Sequence, residues 1–449
     1  MSVDQRVRSV CRAAGVLFAW LLAAGAAQAM PVIQHWTTEN GAGVYFVPAP
    51  ELPMVDVRVV FAAGSARDAD LPGLAGLTNG LLDKGAAGLS ADAIAERLEG
   101  LGAQLGSGSL RDMAWVSLRS LNDAAHFEPA VELMMDVLAR PDFNQNDIDR
   151  ERERTLVALR QSEQQPDDIA EYHFYADIYG RHPYASRPIG TEASLKRIAR
   201  AEIRDFHARY YVAANATIAI VGDIDRQGAE ALARRLSAGL PAGQPAEPLP
   251  AVTPLAKASE ERVFHPSTQT HVLMGAPGID RNDPDFFPLY VGNHILGGSG
   301  LVSQLYEEVR EKRGLSYSVS SAFIPMQKKG PFMLGLQTRN DQLEEALGVL
   351  RETLQRFHDQ GPTKAELVAA TKNITGGFAL RIDSNSKIIQ YLAVIGFYGL
   401  PLDYLETFND KVMAVTPEQI RDAFQRRVHP DMMATVIVGG NSDARVDKD

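Results

Sequence analysis

Cysteine is almost absent from this 449-residue sequence, which contains only Cys11. A single thiol excludes an intramolecular disulfide and a zinc site built from several thiolates. After residue 30 the sequence has no run of ~18 consecutive apolar residues, so it predicts no membrane span there. Basic clusters are also missing, and the formal net charge is −11. That charge balance argues against a protein that binds nucleic acid.

Residues 1–29 have the features of a secretory signal peptide. Positive charges come first, from Arg6, Arg8 and Arg12. An apolar core follows at residues 16–24, and residues 27–29 (Ala-Gln-Ala) form a cleavage site that predicts Met30 as the mature start. The alternative is an uncleaved membrane anchor, but the apolar run is short for a span and ends in small residues. We therefore expect export to a bacterial periplasm or the cell exterior.

Cleavage between Ala29 and Met30 would also change the composition of the chain. It would remove Cys11, together with three arginines and one aspartate, a net charge of +2. The mature chain would be free of cysteine and would carry a charge near −13, which is −11 minus +2. The ten histidines offer no substitute metal site, because no two lie three or four residues apart and none can pair on one helix face.

A proline-rich segment at residues 239–258 divides the chain. It contains Pro241, Pro245, Pro248, Pro250 and Pro254. Proline at this density removes backbone donors and stiffens the chain, so the segment predicts a semi-rigid linker. It separates an N-terminal half, residues 30–238, from a C-terminal half, residues 259–449.

The two halves contain a shared pattern. Residues 202–206 include Ile-Arg-Asp and precede an apolar run, residues 216–222, that ends in glycine. The same order recurs at residues 419–424 and 434–439, an offset of 217–218 residues. Self-similarity over so long a period indicates a duplicated domain rather than a solenoid, whose repeats are ~20–50 residues.

Local patterns indicate that strands and helices alternate in each half. Val55, Val57, Val59 and Phe61 alternate with Asp56 and Arg58, as expected of a half-buried strand. Capping boxes start helices after Thr363 and after Thr416. Because the strands alternate and are not continuously apolar, we predict an α+β fold. Each half would form a largely antiparallel sheet with helices on one face.

Residues 64–85 resemble a segment of the pitrilysin/insulinase peptidase family. In active members of that family this segment carries H-x-x-E-H on a helix, where both histidines bind zinc and the glutamate activates a metal-bound water. The corresponding positions here are Gly76, Asn79 and Gly80. The third family ligand, a glutamate on a later helix, aligns with Arg160. The resemblance therefore implies that this chain has lost its zinc site, and we expect no metal in it.

Residues 294–320 contain a pattern that predicts a helix followed by a strand. Its apolar positions have helical spacing: Leu301, Val302, Leu305, Tyr306 and Val309. Gly314 is placed to end the helix, and Tyr317 and Val319 to begin the strand. Arg310 in the last turn and Tyr317 just after it could then approach each other.

This segment is similar to the C-terminal half of the same family, in which an arginine and a tyrosine with R-x6-Y spacing complete the active site. Arg310 and Tyr317 have that spacing, whereas the neighbouring Arg313 does not. The resemblance implies that the pair holds the substrate carbonyl and stabilises the oxyanion. Without the resemblance, Arg310 would be read as a surface charge near a helix C-terminus and Tyr317 as a strand residue with a solvated hydroxyl.

A glycine-rich run precedes this pair, with Gly297, Gly298 and Gly300. It lacks the lysine of a phosphate-binding loop, so it does not indicate a nucleotide site. We assign these glycines to substrate binding, although close backbone approach or a hinge would explain them as well.

The resemblance extends from about residue 31 to residue 439. It implies two halves that form a clamshell, and a zinc-less subunit that contributes Arg310 and Tyr317 to a zinc-bearing homologous partner around a peptide substrate. Two alternatives remain open. One is a non-catalytic scaffold or peptide-binding protein on the same fold. The other is an autonomous peptidase with relocated metal ligands.

Overall fold

The computed structural model describes residues 30–440. The predicted signal peptide and its cleavage site at Ala29 therefore fall outside the described residues or at their edge. Among the described helices, none is both long enough and apolar enough to cross a membrane.

The elements alternate along each half of the chain. The strands are β1 (Gln34–Thr37), β2 (Gly43–Pro48), β3 (Met54–Phe61), β4 (Gly85–Ala86), β5 (Leu89–Ser90), β6 (Gln104–Ser109), β7 (Ala114–Leu121), β8 (Ala216–Gly222), β9 (Ser259–Phe264), β10 (Gln269–Pro277), β11 (Ser316–Phe323), β12 (Pro331–Arg339) and β13 (Ala434–Gly439). The α-helices are α1 (Leu74–Leu81), α2 (Ala91–Gly100), α3 (Ala124–Ala139), α4 (Gln145–Ser162), α5 (Pro166–Tyr179), α6 (Glu192–Arg197), α7 (Arg200–Tyr210), α8 (Arg226–Gly239), α9 (Phe286–Asn293), α10 (Leu343–Gln360), α11 (Lys364–Phe378), α12 (Asn385–Tyr398), α13 (Tyr404–Met413) and α14 (Pro417–Arg427).

The two large sheets have the same topology. The first has the order β1-β2-β8-β3-β7-β6, and the second, read in the same direction, has the order β9-β13-β10-β12-β11. In each sheet one pair is parallel, β2 with β8 and β9 with β13, and the other pairs are antiparallel. The predicted α+β class and the duplication are confirmed, because every strand of the second sheet has a counterpart at the same place in the first.

One face of each sheet is covered by a helix from the other half of the chain. Helix α12 packs on β2, β3 and β8 of the first sheet, and α5 packs on β10 and β13 of the second. Gly396 allows α12 to approach closely, since a Cβ there would lie 2.5 Å from Thr217 Cγ2 and 2.6 Å from Tyr45 Cε2. The halves are therefore interlocked by exchanged helices.

This exchange corrects the sequence interpretation of β3. Val55, Val57 and Val59 are buried, as predicted. Asp56 on the opposite face is also buried, with 6% of its surface exposed, because α12 covers that face. Its carboxylate accepts hydrogen bonds of 2.9 and 3.2 Å from Arg119, which supply the partner that a buried charge requires.

Both predicted capping boxes are present in the structure. Thr363 accepts a hydrogen bond from Glu366 N, and Glu366 caps Thr363 N in return, at the start of α11. Thr416 and Gln419 do the same at the start of α14. Each box satisfies two backbone N–H groups that a helix start leaves without intrahelical partners.

Between α8 and β9 the proline-rich segment forms neither helix nor strand. Leu249 and Val252 are buried in an apolar cluster that also contains Phe174 of α5 and Val436 of β13. The segment is therefore packed against the junction of the halves along part of its length.

Candidate functional site

The helix that carries the degenerate zinc motif is α1, and it begins under the control of a buried carboxylate. Asp68 accepts hydrogen bonds from the backbone N–H groups of Gly73 (2.8 Å) and Ala75 (2.7 Å). Only 1% of the Asp68 surface is exposed, and this burial raises its pKa to about 8, although the two N–H donors act in the opposite direction. The carboxyl group holds the first turn of α1 in place.

Asn79, which the resemblance aligns with the family's catalytic glutamate, is hydrogen-bonded within the core. Its side-chain amide donates to the Tyr211 hydroxyl at 3.1 Å and to the Trp115 carbonyl at 3.3 Å. Asn79 has 2% of its surface exposed, and Tyr211 is fully buried. A neutral amide used in this way serves the packing of α1 and cannot act as a general base.

The two glycines on α1 leave open space where histidines would project. A Cβ at Gly80 would meet no atom within 4 Å, and at Gly76 it would meet only the Pro188 carbonyl at 3.4 Å. Helix α4 packs against α1 and presents Arg160 from its exposed last turn. These residues offer no donor set that fits zinc, since two lack side chains and the guanidinium is cationic. Within residues 30–440 no group of three His, Cys, Asp or Glu side chains could hold a metal ion.

The predicted helical stripe around residues 301–309 is wrong in its first turn. The chain forms a π-helical turn at His294–Gly298, a 3₁₀ turn at Gly300–Val302 and a second π-helical turn at Tyr306–Glu311. Leu305 and Val309 are buried as predicted, but Leu301 and Val302 are exposed. The 3₁₀ turn changes the angular spacing of the side chains, so residues four apart no longer share a face.

The predicted convergence of Arg310 and Tyr317 is present. Gly314, with φ of 63°, reverses the chain after the π-helical turn. The Arg310 guanidinium carbon lies 4.8 Å from the Tyr306 ring centre and 5.5 Å from the Tyr317 ring centre. Its Nη1 donates a long, 3.5 Å hydrogen bond to the Tyr317 carbonyl. Two aromatic rings thus hold the guanidinium beside the tyrosine.

Tyr317 projects from a β-bulge in β11, the edge strand of the second sheet. The register with β12 shifts between Ser316 and Ser318, which leaves Tyr317 as the extra residue. The Ser316 hydroxyl donates to the Gln337 carbonyl at 2.6 Å and accepts from Ser318 N at 3.0 Å, and both bonds stabilise the bulge. Tyr317 is 82% exposed, so its hydroxyl points away from the fold. Bulges commonly redirect a side chain in this way next to active sites.

Gly297 and Gly298 lie beside the same strand, in close-packed surroundings. A Cβ at Gly297 would lie 2.5 Å from Ser321 N, and a Cβ at Gly298 would lie 2.6 Å from Asn293 Nδ2. Asn293 in turn bonds Ser321 at 2.8 and 3.1 Å. Close backbone approach therefore accounts for both glycines. Gly300 has φ of 61° in the exposed 3₁₀ turn.

The structure thus forms two separate groups from the predicted residues. The first group consists of Gly76, Asn79 and Gly80 on α1 and Arg160 on the adjacent helix α4. Neither the two glycines nor Arg160 can bind a metal ion. Arg310 and Tyr317 form a pair of exposed hydrogen-bond donors. In the described residues no hydrogen bond or ion pair connects the two groups.

Three supporting residues were missed by the sequence interpretation. Asp68 fixes the start of α1, Tyr211 binds Asn79, and Ser316 holds the bulge. A bulge depends on pairing with a distant strand, so no local pattern could have identified Ser316. Asp68 lies six residues before Leu74, the first residue of α1, whereas the capping pattern places its polar residue immediately before the helix, so that pattern could not have identified Asp68.

This chain is similar in sequence and fold to known proteins. The profile described as "Insulinase (Peptidase family M16)" matches residues 45–192, and "Peptidase M16 inactive domain" matches residues 197–374. A similar solved structure is the crystal structure of a peptidase M16 inactive domain from Pseudomonas fluorescens. The two sequences are 41% identical, the match covers 91% of this chain and 98% of the other, and the TM-score is 0.89.

Two curated relatives differ in what their names state. An uncharacterized zinc protease of Mycobacterium leprae is 29% identical over 363 residues, which cover 78% of this chain and 79% of the relative. The non-peptidase homolog YmxG of Helicobacter pylori is 26% identical over 395 residues, which cover 86% and 89%. The similarity thus includes proteins named as peptidases and one named as a non-peptidase.

Proposed function

Since this chain belongs to the M16 (insulinase) family of peptidases, we propose that it is the non-zinc subunit of an exported two-chain peptidase. In this role it is inactive alone. A homologous partner supplies the zinc and the general base, and this chain supplies Arg310 and Tyr317. The peptide substrate is enclosed in a cavity between the two subunits.

The observation that carries the proposal is the contrast between the two groups of site residues. The zinc positions hold Gly76, Gly80 and Arg160, which cannot ligate a cation. The R-x6-Y pair, in contrast, is intact: Tyr317 projects outward from a bulge, and Arg310 lies beside it in the preceding π-helical turn. A side chain as large as tyrosine with 82% of its surface exposed is free to contact a second molecule.

The chemistry of the pair suits an acyl-transfer step. A guanidinium and a phenol are both hydrogen-bond donors, and they can bind a carbonyl oxygen as it gains negative charge. The stacking of Arg310 between Tyr306 and Tyr317 limits its rotation before the substrate arrives. Such preorganised donors stabilise the charge of the transition state better than water does, because they need no reorganisation at the moment of reaction.

Export is part of the proposal and is supported by the leader-like residues 1–29. Secretion to the periplasm or beyond would place the subunit among extracytoplasmic peptides. Pulse labelling in a bacterial host tests this directly. Processing before Met30 and recovery in the periplasmic fraction are expected, whereas an unprocessed membrane-bound product would contradict it.

The central experiment reconstitutes the pair. The chain is co-expressed with a zinc-bearing M16 homologue encoded in the same genome, and cleavage of a quenched fluorescent peptide library is measured. Arg310→Ala should lower kcat by about 10²-fold, and Tyr317→Phe should lower it in the same direction. Arg313→Ala is the matched control and should leave kcat unchanged, because Arg313 binds Glu308 and is not part of the pair. Unchanged activity in both Arg310→Ala and Tyr317→Phe would contradict the proposal.

A second candidate is a non-catalytic scaffold or peptide-binding protein, which the name of the Helicobacter pylori relative favours. Co-purification separates the two. A stable complex with a zinc-bearing homologue supports the subunit, and a homo-oligomer that binds no such homologue supports the scaffold. An autonomous peptidase would need stoichiometric zinc in the isolated chain, which metal analysis can detect.

A further inference from the structure

A cavity of about 570 Å³ lies at the junction of the two halves, away from Arg310 and Tyr317. Its walls come from β3 and β7 of the first sheet, from α12, and from the loop that follows β11. Helix α12, which crosses to the first sheet, thus forms one wall of the cavity. Its volume is within the usual range of small-molecule sites, about 300–1,000 Å³.

Two arginines line this cavity without a counter-ion. Arg58 and Arg281 are both half-buried, and the Nε atom of each is buried without a hydrogen-bond partner. Within residues 30–440 neither guanidinium forms an ion pair. Asp56, two residues from Arg58, forms its salt bridge with Arg119, and its charge acts on Arg58 only at longer range. Arg281 lies over the Phe286 and Tyr398 rings, at 5.4 and 5.9 Å from the ring centres. Half-buried guanidiniums that have aromatic neighbours but no anionic partner carry a desolvation cost that an anion would offset.

The other two charged side chains of the cavity wall, Arg111 and Asp112, already have hydrogen-bond partners. Arg111 stacks on Tyr175 at 3.4 Å and donates to the Tyr184 carbonyl at 3.2 Å. Asp112 accepts from the Tyr184 hydroxyl at 2.5 Å, the Tyr398 hydroxyl at 3.0 Å and Gln327 N at 2.7 Å. Asp112 forms no salt bridge with Arg58 or Arg281 in the described residues, and the three arginines of the lining outnumber this one carboxylate, so the wall is net positive in a chain whose formal charge is −11.

The remaining wall is apolar. Val60, Met113, Trp115, Ala393 and Val394 face the cavity from three elements. Arg58 lies 5.3 Å from the Trp115 ring centre, so the cationic and apolar parts of the wall are adjacent. A ligand that satisfies both parts needs an anionic head and an apolar body.

We propose that this junction cavity binds an amphipathic organic anion, with its head between Arg58 and Arg281 and its apolar body against Trp115 and α12. Such a ligand would contact both halves at once and would stabilise their association. The site is independent of the proposed peptidase role, because it uses neither the R-x6-Y pair nor the positions of the lost zinc ligands.

Titration calorimetry on the purified chain tests the site with decanoate as the probe. Decanoate should bind one to one and raise the melting temperature, whereas decanol and inorganic phosphate, which each supply only one half of the chemistry, should bind at least tenfold more weakly. Equal affinity for phosphate or for decanol would overturn the proposal. So would the absence of decanoate binding.

Variants locate the binding. Arg58→Gln and Arg281→Gln should each weaken decanoate binding about tenfold, the effect of one charge-assisted hydrogen bond. Val394→Trp keeps both arginines and fills the cavity from α12, and it should also abolish binding. Arg339→Gln, on a surface arginine paired with Asp341, is the control and should bind normally. Unchanged affinity in correctly folded Arg281→Gln and Val394→Trp proteins would overturn the proposal.

Discussion

At the scale of single residues, Asn79 has a structural role on α1. An amide has the size to replace a carboxylate on α1, and without a charge it can be buried at little cost once it is hydrogen-bonded. Its two bonds, to the Tyr211 hydroxyl and the Trp115 carbonyl, connect α1 with the chain after α7 and with β7. Restoration of a glutamate here would place an unpaired charge in the core.

Truncation of this amide should therefore destabilise the fold. Asn79→Ala leaves the Tyr211 hydroxyl and the Trp115 carbonyl without that partner, and we expect the free energy of unfolding to fall by about 1–3 kcal/mol. Urea denaturation measures the change. In a double-mutant cycle with Tyr211→Phe, the two changes should be less than additive; full additivity would show that the hydrogen bond contributes nothing.

His207 should make the first half sensitive to acid. The ring is 7% exposed, stacks on Tyr211 at 5.0 Å and bonds the Leu138 carbonyl at 2.8 Å. Burial lowers its pKa below the ordinary value, although the bond to Leu138 acts in the opposite direction. Below about pH 6.5 the unfolded chain binds a proton that the folded chain resists, so stability is lost as the pH falls and no penalty exists above that pH.

The measurement is the melting temperature at about pH 7.5 and about pH 5.5. The decrease between the two should be smaller in His207→Gln than in the wild type, since glutamine keeps a donor for Leu138 and does not titrate. His429→Gln, on an exposed histidine, should leave the decrease unchanged. An identical decrease in all three proteins would exclude His207 as the source.

At the scale of elements, glycines with similar sequence contexts have opposite roles. Gly80 lies inside α1 with open space around it, whereas Gly297 is pressed against β11. Gly80→Ala should raise the free energy of unfolding by about 0.5–1 kcal/mol, because alanine is the better helix former. Gly297→Ala should lower it by about 1–3 kcal/mol, because the added methyl group would overlap Ser321. Chemical denaturation of the two variants checks both signs, and stabilisation by Gly297→Ala would refute the packing argument.

The π-helical turns and the bulge are the elements that local patterns predicted least well. The helix expected from Leu301 starts later, and the strand of Tyr317 begins with an irregular pair. Both irregularities present Arg310 and Tyr317 on the same side of the sheet edge. Regular elements would be more stable locally, and their interruption is common where side chains have a function.

At the scale of the whole molecule, the exchanged helices α5 and α12 make the two halves dependent on each other. Asp112 adds a polar connection, because it binds Tyr184 of the first half and Tyr398 and Gln327 of the second. Burial raises the pKa of this carboxyl group, and its three donors counteract the rise. We expect wild-type unfolding to be a single transition for both halves.

Asp112→Ala should weaken this coupling and lower the free energy of unfolding by about 3 kcal/mol. Trp115 contacts α12, so it is replaced by phenylalanine in both proteins, which are expressed from Met30. The fluorescence of Trp36 then follows the first half, while far-ultraviolet circular dichroism follows both halves. The two transitions should coincide in the wild type and separate in the variant. Asp341→Ala, on an exposed carboxylate, should leave them coincident, and coincident transitions in Asp112→Ala would show that the helices alone provide the coupling.

The sequence by itself determined the α+β class, the duplication, the capping boxes, the residue types at positions 76, 80 and 160, which cannot bind zinc, and the spacing of Arg310 and Tyr317. These features depend on local periodicity or on the residue types at single positions. Only the tertiary structure decided which surfaces the amphipathic elements cover. Periodicity shows that a helix such as α12 has an apolar face, but the partner of that face lies far away in the chain. For the same reason the junction cavity, the burial of Asp56 and the bulge that exposes Tyr317 became visible only in the folded protein.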